Sequence, residues 1–122
     1  MSDLYQEIII EEFRNPQNFG QMSDAHKIIR ERNASCGDVL TIYVKLDEAG
    51  QKVIDIRWEG NGCAISMAAM SVLSAKIKVT KPAIAQLKKL SQSEIEELLG
   101  LDEISIGRVK CLMLGVQALK RI

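Results

Sequence analysis

Two alternating runs, one directly after the other, constrain this chain more than any other feature. In Val39 to Leu46, the residues Leu40, Ile42, Val44 and Leu46 fall on one face, and Thr41, Tyr43 and Lys45 on the other. In Val53 to Trp58, Ile54, Ile56 and Trp58 share a face. Period-two alternation marks a strand with one face buried. The turn sequence Asp47-Glu48-Ala49-Gly50 lies between the runs, so they pair as a hairpin. A weaker alternation over His26 to Arg32 predicts a third strand ahead of them.

Helical patterns stand on both sides. Leu4, Tyr5, Ile8, Ile9 and Phe13 recur at helical spacing, and Asp3 can cap them. Asn15-Pro16 stops this helix, and Asn18-Phe19-Gly20 continues the break. From Cys63 to about Lys78 the chain is rich in Ala, Met, Ile, Val and Leu, without Gly or Pro, which predicts a largely buried helix. Pro82 suits a first helical turn and predicts a short helix over Lys81 to Leu90. Ser91 and Glu94 form a capping box that opens a helix over Gln92 to Leu99, closed by Gly100. A last helix starts near Gly107, with Val109, Leu112, Met113, Val116 and Leu119 inward.

The order is helix, three strands, four helices. Strands precede helices without alternating with them, so the fold class is α+β, a three-stranded antiparallel sheet packed against several helices. With 122 residues and no repeat, linker or low-complexity tract, the expectation is one domain, 1–122, around one core.

Lys and Arg number 16, as do Asp and Glu. A balanced chain has no strong electrostatic reason to seek nucleic acid or anionic lipid. No apolar run is long enough to span a bilayer. Ile8-Ile9-Ile10 is flanked by acidic residues, unlike a signal peptide. The expected location is the cytoplasm.

Cys36, Cys63 and Cys111 make an odd number, which in a reducing compartment argues for thiols, ligands or nucleophiles over a disulfide frame. None lies in a C-x-x-C pair, and spacing alone is a weak metal signal. Their settings say more. Cys36 stands in the turn sequence Asn33-Ala34-Ser35-Cys36-Gly37-Asp38, two residues from Asp38. Cys63 follows Gly60-Asn61-Gly62 and begins the buried helix, and Cys111 sits in the first turns of the last one. Helix N-termini favour thiolate, the form that binds soft metals and attacks sulfur. Buried core cysteines would stand mid-element among apolar neighbours, whereas each of these adjoins glycine or an element boundary.

Asn33-Ala34-Ser35-Cys36-Gly37-Asp38, then Gly60-Asn61-Gly62-Cys63-Ala64-Ile65-Ser66, then Arg108-Val109-Lys110-Cys111 resemble the U-type iron–sulfur cluster scaffolds, the IscU and SufU proteins and the N-terminal part of NifU. Arg14-Asn15-Pro16-Gln17-Asn18-Phe19-Gly20 is similar to that family's first motif. The resemblance implies the same α+β fold and a site made of Cys36, Asp38, Cys63 and Cys111. It implies a cysteine desulfurase as sulfur donor and apo iron–sulfur proteins as recipients of a [2Fe–2S] cluster. SufU-type members carry zinc instead and accept persulfide sulfur, with Cys111 the candidate acceptor here. A scaffold is not an enzyme, whereas a zinc-dependent sulfurtransferase is. Thiolates suit either cargo, and a Cys₃-carboxylate set also satisfies tetrahedral zinc. A carboxylate is the more labile ligand, so Asp38 is expected to make the site releasable.

Lys110 stands where IscU-type proteins carry a histidine, and Arg108-Val109-Lys110-Cys111 resembles the SufU form. The insertion that SufU proteins carry between the second and third cysteines has little room in Lys81 to Ser105. The Leu-Pro-Pro-Val-Lys segment through which IscU proteins dock a chaperone is replaced by Ser105-Ile106-Gly107-Arg108-Val109-Lys110. Arg108 and Lys110 read either as cations that favour thiolate at Cys111 and pair with Asp38, or as solvated charge at a helix start. Tyr5 and its neighbours are candidates for desulfurase docking or plain core packing. His26, Met67, Met70, Met113 and Trp58 read as structural.

Overall fold

The structure is a computed structural model. It describes residues 3–33, 37–100 and 106–122, with the side chains of 3–6, 106 and 107 outside that description. Cys36 and the side chains of Asp3, Leu4 and Tyr5 therefore lie outside the described residues.

The elements follow the expected order: α1 (Asp3–Arg14), β1 (Lys27–Asn33), β2 (Asp38–Leu46), β3 (Val53–Asn61), α2 (Ala64–Thr80), α3 (Ile84–Leu87), α4 (Gln92–Leu99) and α5 (Ile106–Leu119). The three strands form one antiparallel sheet in the order β1-β2-β3, so the α+β expectation holds. Register places Ile29 opposite Ile42 and Ile42 opposite Trp58, with Val44 opposite Ile56. These side chains are buried and line the inward face. On this face α2 packs against β3, α5 against β1, and the two helices against each other, while α1 packs on α2. No helix among the described residues is long and apolar enough to cross a membrane.

Strand pairing corrects one expected position. The register slips between Lys45 and Leu46, which oppose Asp55 and Val53. Ile54 is thus the extra residue of a β-bulge and turns to solvent (37% exposed), while Val53 takes its place in the core. A bulge reverses side-chain alternation beyond it. The expected inward set of Ile54, Ile56 and Trp58 therefore reduces to the last two. In α1 likewise, Ile8 and Ile9 pack inward but Phe13 is exposed. Glu12 faces α2 instead, where its carboxylate accepts hydrogen bonds from the Ser71 hydroxyl and the Gln17 amide.

The segment from Lys81 to Leu90 is helical only over Ile84–Leu87. Pro82 precedes the helix, because its carbonyl accepts from Val53 N–H (3.0 Å) and Gln51 carbonyl accepts from Ile84 N–H (2.8 Å). Lys52 and Ala83 form a β-bridge there. Backbone pairing to the edge of β3 keeps these residues extended. α4 runs over the expected span, with Ser91 Oγ accepting from Glu94 N–H and Gly100 in the left-handed region (φ 73°).

The hairpin turn closes on Asp47. Its carboxylate Oδ1 accepts from the backbone N–H of Gln51 (2.8 Å) and Lys52 (3.2 Å), and Gly50, at φ 69°, donates to its carbonyl. Those backbone hydrogen bonds hold the Asp47 carboxyl below its ordinary value. A lowered folded-state pKa adds stability above the unfolded value, about pH 4, which is lost as pH falls through the folded one. Urea midpoints of the wild-type chain are therefore expected to fall more between pH 5 and 2 than those of Asp47→Asn. Parallel curves would refute this role.

Candidate metal centre

β3 ends in Gly60-Asn61-Gly62, and the chain turns at Cys63 into α2. Cys63 is the N-cap, with extended backbone (φ −72°, ψ 165°), and its Sγ accepts from the Ser66 N–H at 3.5 Å. Cap residues turn their side chains back over the first helical N–H groups, so the helix start aims this sulfur. The 17 residues of α2 add the positive end of their peptide dipoles, which favours negative ligands there.

Asp38 is the first residue of β2, opposite Asn33, and its position in the strand points it inward. It is 3% exposed. Oδ1 accepts from Cys63 N–H at 3.1 Å, whereas buried Oδ2 has no hydrogen-bond partner among the described residues. An unpartnered buried carboxylate oxygen is costly and calls for an explanation, an ion among them. Gly62 makes this approach possible. A Cβ on it would stand 2.8 Å from Asp38 Cγ and Oδ1 and 2.7 Å from Ser66 Oγ.

Cys111, on α5, is 6% exposed, and Cys63 is half-buried. Strand, cap and helix together bring a carboxylate oxygen of Asp38, Cys63 Sγ and Cys111 Sγ within 4.8 Å of one another. Two thiols and a carboxylate form a donor set suited to zinc or to iron bound with sulfide. An orphaned inward oxygen and a notch that only glycine leaves open fit the same group. Three of the four site residues expected from sequence thus converge, and the fourth, Cys36, lies outside the described residues.

Arg108 and Lys110 are exposed on the first turns of α5. The ion pairs among the described residues are Lys45–Asp24, Lys78–Asp55 and Arg121–Glu31, and none involves Arg108 or Lys110. His26 is structural, its Nδ1 accepting from Leu46 N–H at 2.8 Å. Met67, Met70 and Trp58 are core residues, and Met113 packs against the core. Sequence reasoning missed Ser66 and the notch at Gly62. The usable signal was a hydroxyl three residues after a cysteine N-cap, the spacing at which side chains return to a helix start.

Comparison with known proteins adds three findings. The profile of the NifU-like N-terminal domain matches residues 4–122. Among curated proteins, the zinc-dependent sulfurtransferase SufU of Bacillus subtilis is 31% identical, over 99% of this chain and 90% of that protein. The iron–sulfur cluster assembly scaffold protein IscU of Aquifex aeolicus is 30% identical, over 98% of this chain and 73% of that protein. Among solved structures, the SUF-system protein FiSufU of Fervidobacterium islandicum AW-1 superposes with a TM-score of 0.79 at 27% identity, covering 97% of this chain and 95% of that one. The alignment with the Bacillus protein spans 136 positions, more than the 122 residues here, so that protein carries residues this chain lacks.

Proposed function

Because the chain belongs to the family of the NifU-like N-terminal domain, we propose that it is an iron–sulfur cluster assembly scaffold, acting in the cytoplasm with a cysteine desulfurase and with apo iron–sulfur proteins as recipients. The observation that carries this reading is the convergence of Asp38, Cys63 and Cys111 within 4.8 Å, with Asp38 Oδ2 buried and unpartnered among the described residues. In the proposal Cys36 completes the ligand set, and the cargo is a [2Fe–2S] cluster. Thiolates supply the soft ligands, and the carboxylate supplies the labile one.

Sulfur arrives as a persulfide on the desulfurase. A thiolate of this chain attacks the outer sulfur, the S–S bond breaks, and the desulfurase thiolate leaves, with no net oxidation. Cys111 is the proposed acceptor. It is buried, so docking must uncover it. Arg108 and Lys110, exposed on the same helix, are proposed to favour its thiolate form.

A second reading, zinc-dependent sulfur transfer, is supported by the likeness to the Bacillus SufU protein over nearly the whole of both chains and by Lys110 before Cys111. It uses the same four residues. Anaerobic incubation with ferrous iron, cysteine and a desulfurase separates the two. A visible charge-transfer band that vanishes in Cys36→Ser, Cys63→Ser and Cys111→Ser is the result expected of a scaffold. No band, with zinc retained and desulfurase turnover raised, assigns sulfur transfer instead. Retention of neither metal overturns both.

A further inference from the structure

We propose that Ser66 is a positioning residue for Cys63, donating a second hydrogen bond to its sulfur once a metal is bound. This rests on the metal-centre reading above. Ser66 is 2% exposed and touches Cys63 in three ways. Its N–H donates to Cys63 Sγ at 3.5 Å, its hydroxyl donates to Cys63 carbonyl at 3.0 Å, and its Oγ accepts from the Cys63 thiol at 3.7 Å. Oγ also borders the Gly62 notch, as does Asp38 Oδ1. A serine buried inside an otherwise apolar helix start has no packing reason to be polar. Among the described residues, the hydrogen bonds of its N–H and its hydroxyl all go to this one cysteine.

A metal displaces the hydrogen of a ligating thiol. Ser66 Oγ then has no thiol hydrogen to accept, and its own O–H, already beside Sγ, turns from the carbonyl to the more negative thiolate sulfur. Cys63 sulfur thereby receives two hydrogen bonds from one residue, an N–H and an O–H. Hydrogen bonds to ligand sulfur hold the ligand's orientation and draw electron density from it.

Cobalt(II) is the probe, because its thiolate charge-transfer band reads the energy of the sulfur lone pairs and its ligand-field bands read geometry. Loss of the O–H in Ser66→Ala is expected to move the charge-transfer band to lower energy, with the tetrahedral ligand-field bands retained. Release of zinc to a chelator should be about tenfold faster, as outer-shell substitutions generally cost. Ser66→Thr, which keeps the hydroxyl, should restore the band energy. An unchanged band and release rate in Ser66→Ala overturn the proposal and leave the metal site standing. Absence of a thiolate band in the wild-type chain overturns the site and this proposal with it. A serine that only packs would lower the melting midpoint and leave the band in place.

Discussion

Gly62→Ala is expected to weaken metal retention about 100-fold, at the upper end of outer-shell effects, although it removes no ligand residue. The new Cβ would meet Asp38 Cγ and Oδ1 at 2.8 Å and Ser66 Oγ at 2.7 Å, closer than real Cβ contacts come. Neither neighbour can retreat cheaply. Asp38 is held through its backbone in the β1–β2 ladder and through Oδ1 by Cys63 N–H. Ser66 is held to Cys63 carbonyl. Whichever gives way, either the carboxylate leaves the two sulfurs or the cap of α2 loosens. Overpacking of this kind also costs about 1–3 kcal/mol of fold stability. Chelator competition with zinc, beside a thermal melt of the metal-free chain, separates the two effects. Wild-type zinc retention in Gly62→Ala would mean that the carboxylate is not held where metal binding needs it.

Trp58→Ala is expected to remove about 3–5 kcal/mol, the usual loss for deleting a large buried aromatic side chain. Against a typical total of about 5–15 kcal/mol, this leaves the chain marginal. Trp58 is fully buried and its ring meets Phe19 edge to face at 5.0 Å. Its indole N–H donates to Gln17 carbonyl at 2.8 Å. The strand around it also pairs with the loop, Trp58 N–H to Asn18 carbonyl and Gly20 N–H to Trp58 carbonyl. Trp58→Phe keeps most of the volume and loses only the indole hydrogen bond, so it should cost about 1–2 kcal/mol. Denaturant unfolding followed by circular dichroism measures both. A loss under about 1 kcal/mol for the alanine variant would contradict the core role.

How far the sequence could be read depended on the range of the determining interaction. α4 is legible because Ser91 and Gly100 act within one turn of the backbone they cap, although the Glu94 carboxylate meets the Ser91 hydroxyl and does not close the expected capping box. The hairpin was readable because alternation and turn are both local. The bulge at Ile54 was not, since it follows from how β2 and β3 align, and no residue there announces it. The sequence predicts too long an α3 because Pro82 is compatible with a helix start, while pairing to Val53 and Gln51 decides otherwise. No local pattern marks Ser71 and Ser74 within the apolar α2. They are where the Gln17-Asn18 loop is fastened, through Gln17 N–H to Ser71 Oγ (2.8 Å) and Asn18 Nδ2 to Ser74 Oγ (3.2 Å). At the site, the cap position of Cys63 followed from its glycines. Its meeting with Asp38 and Cys111 did not follow from any periodicity and was implied only by resemblance.

Trp58 is the one tryptophan of the chain, and its place has an optical consequence. A lone indole, fully buried and bonded to the Gln17 carbonyl, gives the folded protein one tryptophan emission from one environment, excited selectively on the long-wavelength side of tyrosine absorption. Its emission reports on the Asn15 to Gly20 segment, which is fastened to α2, the helix that Cys63 caps. Any partner that lifts this segment will let water reach the indole and shift its emission to longer wavelength. Docking on this side of the molecule can therefore be followed in the unlabelled chain, separately from any colour that arises at the cysteines.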